Sequence, residues 1–307
     1  MPTEDPTRTP MMVVLGMHRS GTSLCSNMLA ALGADMADAP GATPDNARGH
    51  WERPFVCHLN DRIFDLYGRG WFDSAHLLAM PELWLSDPRV IALRRDAAAW
   101  LRPRLRGPQL FGMKDPRVTR LLPFWHTVFT EAGAAPRYVM CLREPAQVTR
   151  SIVARDGLPA AQAEYRWLTY NAAAIGGVDT DAICIVPYED WFSRPDETTE
   201  RLATHAGLPM PATRLPRAVI DPTLRHDAAA AARPMARRLH RQMLRCVELN
   251  RFDADLRAFA AMLTGFEHQL QPLLADMEVL RVSVADQSRV IGDLNALINQ
   301  LRPAQAA

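Results

Sequence analysis

The segment Gly16-Met17-His18-Arg19-Ser20-Gly21-Thr22-Ser23 gathers two glycines, three hydroxyls and a guanidinium into one short loop. That combination suits an anion. Glycines let backbone amides approach a phosphate closely, hydroxyls donate to it, and a following helix adds the partial positive charge of its N-terminus. The spacing parallels the phosphate loop GxxxxGK[ST], but Thr22 stands where the lysine belongs. Without that lysine the loop lacks the cation that reaches the outer phosphates of a nucleotide, which argues against a kinase or nucleotide hydrolase. Arg19 supplies positive charge three positions earlier instead.

Two further clusters fit the same chemistry. Tyr138–Leu142 is an apolar strand ending in Arg143, and Ser151 follows eight residues later on the next helix. A guanidinium offers phosphate a bidentate fork and a serine adds a hydroxyl, although an arginine at a strand end also serves as a plain ion pair. Lys114-Asp115-Pro116-Arg117 holds the only lysine among 35 basic residues. An ammonium placed beside a bridging oxygen would stabilise a leaving phosphate as its charge develops. Transfer to a hydroxyl also needs a proton acceptor. Gly49-His50-Trp51-Glu52 offers Glu52 first and His50 second, with Asp115 third and His58 two turns further on. A glutamate in the first turn of a helix is favoured by the helix dipole as well.

In this order and spacing, the HRSGTS loop, the KDPR element and the strand–Arg–x7–Ser arrangement resemble the sulfotransferases that use 3′-phosphoadenosine 5′-phosphosulfate (PAPS). The resemblance spans roughly residues 11–226. It implies that Arg19, Ser20, Gly21, Thr22 and Ser23 hold the 5′-phosphosulfate, and that Arg143 and Ser151 grip the 3′-phosphate. Lys114, in an element similar to that of the tyrosylprotein sulfotransferases and bacterial relatives, would neutralise charge on the transferring sulfuryl group. Family members use a Glu or a His as base, which maps to Glu52 or His50. Tyr188, in Tyr188-Glu189-Asp190-Trp191, resembles the family's YEDL element and would lie near the adenine.

The implied product is adenosine 3′,5′-diphosphate (PAP). No metal is expected, because cationic side chains supply the charge that Mg²⁺ supplies in kinases. By association with bacterial relatives, the acceptor is expected to be a small molecule or glycan carrying a carbohydrate hydroxyl. The Gly-rich C-terminal segment of the cytosolic enzymes is not recognisable, and Asp221–His226 is a weak candidate for late contacts. The rivals are a P-loop nucleotide kinase or hydrolase, and a non-catalytic scaffold carrying a degenerate cofactor domain on a coiled coil.

These side chains need a frame that brings strand ends together. Short apolar runs at 11–15, 109–113, 137–142 and 182–186 alternate with helical patterns at 21–32, 51–67, 88–102, 117–130, 144–156, 159–175 and 195–206. That alternation predicts an α/β fold with a P-loop-like parallel sheet flanked by helices. The expected organisation is a flexible arm over 1–10, a transferase domain over 11–232 and a helical tail over 233–307. From Leu249 to Leu301 apolar residues recur at alternating steps of three and four, broken in type only by Gln287. This is the heptad pattern of a coiled coil, and valine or isoleucine at one seam position with leucine at the other favours a parallel homodimer. Gly265 and Pro272 leave a hairpin folded on the chain's own domain as the alternative. Arg237, Arg241 and Arg245 read as a solvated helix face.

The formal net charge of +1 over 307 residues argues against a protein that coats nucleic acid. No apolar run is long enough to span a bilayer. Five scattered cysteines read as buried free thiols, so the expected location is cytoplasmic.

Overall fold

The computed structural model describes residues 8–36, 49–72, 76, 79–178, 183–210, 220 and 232–301. Four strands, β1 (Thr9–Leu15), β2 (Gly112–Lys114), β3 (Ala134–Leu142) and β4 (Ile183–Pro187), form one parallel sheet in the order β2-β1-β3-β4. Helices α1 (Thr22–Ala31), α2 (Pro54–Asp65), α3 (Pro88–Arg104), α4 (Leu122–Ala132), α5 (Pro145–Asp156) and α6 (Ala160–Gly177) connect the strands. They are followed by α7 (Asp190–Ser193), α8 (Pro195–Ala206), α9 (Pro234–Arg245) and α10 (Ala254–Leu301). The α/β class expected from the sequence is the one observed.

Alternation along β1 divides the core. Met11, Val13 and Leu15 join the larger apolar cluster, with residues of α2 to α6, α9 and the start of α10. Met12 and Val14 join the smaller one, with residues of α1 and α8. A strand buried on both faces has to be apolar throughout, which is why MMVVL carries no polar residue. Because β2 lies on one side of β1 and β3 on the other, the chain direction switches beside the C-terminal end of β1. In open α/β sheets that crevice is where ligands bind.

Several boundaries differ from expectation. β1 starts at Thr9, with Thr9 and Pro10 in register with Ala134 and Ala135 of β3, so the proposed arm does not reach residue 10; residues 1–7 lie outside the described ones. β2 is shifted to include Lys114. The helix expected over 117–130 is a 3-10 turn at Pro116–Thr119 followed by α4. Pro123 stands in the first turn of α4, where its missing N–H costs nothing. The short helix α7 was not expected. Asp221–His226 falls outside the described residues.

Asp253 caps the start of α10, its carboxylate accepting the amide of Leu256 at 2.8 Å. The first two positions of the heptad stripe, Leu249 and Phe252, therefore precede the helix. Beyond the cap α10 is one continuous helix through Gly265 and Pro272, so the hairpin alternative is not what forms. Its first turns pack on the domain. Leu256 and Phe259 are buried, and Arg257 donates to the carbonyls of Ile175 and Val178. Glu267 meets Arg120 at 2.6 Å with both side chains 7% exposed, and Gln271 donates to the Ala79 carbonyl. On α9, Arg237, Arg241 and Arg245 are exposed and Ala236, Leu239 and Met243 buried, as the stripe reading expected. No helix among the described residues is long and apolar enough to cross a membrane.

The Arg120–Glu267 pair fastens α10 to the domain, and breaking a buried pair strands a charge. Glu267→Ala is therefore expected to lower the unfolding free energy by about 3–5 kcal/mol in urea titration. An Arg120→Met/Glu267→Leu double variant should recover most of that loss; a single variant as stable as wild type would mean the pair does not anchor the helix.

Candidate active site

Parallel register decides where the lysine goes. Lys114 is the partner of Val14, so its side chain leaves the sheet beside the end of β1. That side chain is 3% exposed. A buried ammonium needs partners, and its three donors find them. Nζ lies 2.6 Å from Glu52 Oε1, 2.9 Å from the His50 carbonyl and 3.3 Å from Ser23 Oγ. Ser23 Oγ in turn donates to the same His50 carbonyl at 3.2 Å. Four of the residues singled out in the sequence thus meet at one point.

The segment bearing Glu52 is held by its neighbour. Arg53, 1% exposed, donates to the Gly112 carbonyl at 3.0 Å and to both the carbonyl and carboxylate of Asp35 at 2.7 Å. This ties the start of α2 to the edge strand β2. Trp51 takes a left-handed φ of 58°, a conformation that costs a non-glycine residue energy and marks a constrained turn. The second Glu52 oxygen lies 3.6 Å from Cys57 Sγ and 4.0 Å from Arg117.

Asp115, near Glu52 through their shared neighbour Arg117, is enclosed by the fold. It is fully buried, accepts from the Arg117 side chain and amide and from Asn60 Nδ2, and caps the 3-10 turn. The Arg117 charge and these hydrogen bonds hold its carboxyl below the usual range against the opposing effect of burial. Asp115 is a structural anchor. His58 is exposed on α2.

The other side of the glycine loop carries a second polar cluster. Arg19, at a φ of 69°, donates from Nε to Ser151 Oγ at 2.8 Å. Arg143 donates to the Arg19 carbonyl at 3.1 Å and to Gln147 Oε1 at 2.8 Å. Ser151 is thus in direct contact with Arg19, and Arg143 joins it through the Arg19 backbone. Tyr188 is 7% exposed. The Arg143 guanidinium carbon lies 4.1 Å from its ring centre. A Cβ on Gly21 would come within 2.6 Å of the same ring, and Gly21 has a φ of +90°, so only glycine fits. Thr22 and Ser20 are buried in the loop. No side chain caps the N-terminus of α1.

Arg143 Nη2 and His18 Nε2, both beside the glycine loop, are among the thirteen buried side-chain atoms that have no hydrogen-bond partner among the described residues. At a loop of glycines and hydroxyls, a ligand could supply the missing partner. His18 has no role implied by the spacing of its loop. Its ring lies 4.2 Å from that of Trp71, centre to centre. Its signal was its position inside HRSGTS. Burial, then the charges of Arg155, Arg117, Lys114 and His76, push its pKa well below the ordinary value. His76, bonded to the Arg69 carbonyl and Tyr170 Oη, is pushed down to about 3, chiefly by burial.

A "Sulfotransferase family" sequence profile matches residues 10–212. The chain belongs to this family. The sulfotransferase domain of a Synechococcus PCC 7002 olefin synthase superposes with a TM-score of 0.49 at 19% identity, covering 78% of this chain and 97% of its own. A sulfotransferase domain from the curacin biosynthetic pathway gives 0.41 at 16% identity, covering 66% and 76%. A putative kinase from Chloroflexus aurantiacus gives 0.35 at 14% identity, covering 66% and 100%. No curated protein matches the chain in sequence. Family membership makes this a transferase and places the HRSGTS loop, KDPR and Arg143–Ser151 inside the matched region.

The lowered His18 pKa carries a sign. Below about pH 6.5 the unfolded chain takes up a proton that the folded imidazole refuses, so this contribution to stability is present above that pH and lost as pH falls. His18→Asn should reduce the slope of unfolding free energy between pH 6 and pH 5 by about 1.4 kcal/mol per pH unit. Urea titrations across that range measure it, and an unchanged slope would mean His18 is protonated in the fold.

Proposed function

We propose that this sulfotransferase moves a sulfuryl group from PAPS to an acceptor hydroxyl, drawn from small molecules or glycans. What carries the reading is one uncapped helix N-terminus flanked by the cationic Arg19–Ser151–Arg143 cluster and by the Lys114–Glu52 ion pair with Ser23. The loop with Arg19 and the Arg143–Ser151 pair offer two sets of anion-binding groups, which suit a donor with two phosphate groups better than a mononucleotide. The unpartnered Arg143 Nη2 and the glycine loop fit such a group.

When bound, PAPS supplies the electrophilic sulfuryl group and a phosphate leaving group. The chain's own residues divide the remaining work. Arg143 and Ser151 bind the 3′-phosphate, and Arg19 with the loop amides and hydroxyls of Ser20, Gly21, Thr22 and Ser23 binds the 5′ end. Tyr188 holds Arg143 and the Gly21 turn in place beside the adenine side. Lys114 fixes positive charge where negative charge grows during transfer, in surroundings too dry for water to screen it. Glu52 takes the acceptor's proton at Oε2, because Oε1 is held by Lys114. His50 contributes its backbone carbonyl, which orients Lys114. No step calls for a metal, since guanidinium and ammonium groups balance the charge.

The partners on this reading are the hydroxyl acceptor and a second copy of the chain. Five free cysteines, four of them buried, support a reducing, cytoplasmic location.

Titration with PAP and with ATP/Mg²⁺ tests the donor site, and labelled-sulfate transfer to a panel of glycans tests the reaction. PAP should bind tightly and ATP/Mg²⁺ weakly. Arg143→Ala should weaken PAP binding roughly 10- to 100-fold, the worth of a charged hydrogen bond. Lys114→Ala and Glu52→Gln should each lower kcat by about 10²- to 10³-fold. Tight binding of ATP/Mg²⁺ alone would return the nucleotide reading. PAP binding without transfer would mean a scaffold, and full activity in both variants would remove their assigned roles.

A further inference from the structure

We propose that the distal part of α10 pairs with the same segment of a second copy, as a parallel, in-register two-stranded coiled coil. The last hydrogen bond from α10 to its own domain among the described residues is that of Gln271 to the Ala79 carbonyl. From there to Leu301 the helix continues for about 45 Å, at about 1.5 Å per residue.

Along this length one stripe stays exposed. Met277, Val284 and Ile291 occupy one seam position at 57, 60 and 58% exposure, and Leu273, Leu280 and Leu294 the other at 57, 65 and 53%. Over two copies these side chains offer on the order of 1,000 Å² of apolar surface, the size at which a specific interface becomes stable. The stretch holds about four heptads, enough for a coiled coil to stand alone.

The occupant follows from the stripe's own chemistry. A repeat of three and four is complementary to itself, because each seam residue of one helix enters a hole made by four of another such helix. β-branched Val284 and Ile291 at one position with leucines at the other select two parallel strands. Charge lies off the seam: Asp286 and Arg289 pair with each other at 3.1 Å on the outer face. Gln287, the one polar seam residue, meets its own counterpart only when the two copies are parallel and in register, where the two amides can bond. Any slipped or antiparallel arrangement sets an amide against an apolar layer. The stripe is also continuous with the one that α10 uses at Leu256 and Phe259 against its own domain.

Light scattering after size exclusion of the full chain tests this without reference to activity, so its outcome is separate from that of the catalytic reading. At micromolar concentration the mass should be that of two chains. Leu280→Asp/Val284→Asp should give the mass of one chain with PAP affinity unchanged, while Arg289→Asp on the outer face should remain a dimer. Gln287→Cys should cross-link to itself on mild oxidation. A wild-type mass of one chain, or a dimer that survives the double aspartate variant, overturns the proposal. Loss of the dimer on Arg289→Asp overturns the seam assignment, and failure of Gln287→Cys to cross-link overturns the parallel register.

Discussion

A buried ammonium organises this site. Lys114 sits at the end of the edge strand with almost no access to water, and an unpaired charge there would cost several kcal/mol. Its partners come from the first turns of α1 and from the segment before α2, far apart in sequence. Residues 50–52 must therefore lie over the end of β2. Arg53 holds them there by bonding to β2 and to Asp35, and Trp51 accepts a left-handed backbone so that Glu52 and the His50 carbonyl both face the lysine. The geometry of the proposed base is thus a consequence of neutralising one cation.

The far side of the loop works by the opposite logic. There the polar groups are incompletely satisfied. Arg143 is held by Gln147, by the Arg19 carbonyl and by the face of Tyr188, yet one of its terminal nitrogens stays buried without a partner. A lone donor of this kind costs about 1–3 kcal/mol. Arg19 adds a strained φ beside it. On the proposed reading, an anion at the switch point of the sheet would supply the missing acceptor. One half of the site is complete in itself, which keeps the charged pair in place, and under the proposed function the donor would complete the other.

Much of this was legible in the sequence, because it rests on local pattern. Apolar runs located β1, β3 and β4, and residue type picked out Arg19, Lys114, Arg143 and Ser151. What was not legible depends on pairing across the chain. The Lys114–Glu52 bond joins residues that only the β1–β2 register and the Arg53 staple bring together. β3 begins at Ala134 because Thr9 and Pro10 pair with Ala134 and Ala135, although neither segment reads as a strand alone. Asp115 looked available as a base, since nothing local reveals that Asn60 and Arg117 enclose it. Tyr188 gave no sign that Gly21 and Arg143 would pack against its ring.

The helical tail shows how one periodicity can serve two ends. Near the domain, the stripe is buried against α6 and fixed by the Arg120–Glu267 pair. The same stripe then runs outward past Pro272, which cannot donate to the carbonyl four residues earlier. A proline inside a helix costs about 3 kcal/mol, and an unsupported helix in water has little propensity energy to offset it. Packing along the apolar face is the remaining source of stabilisation, and the domain provides none past Gln271 among the contacts described. A self-complementary seam begins where that support ends. The anchored first turns fix the direction in which the seam leaves the fold, so pairing in parallel would set two transferase domains side by side at one end of a common rod.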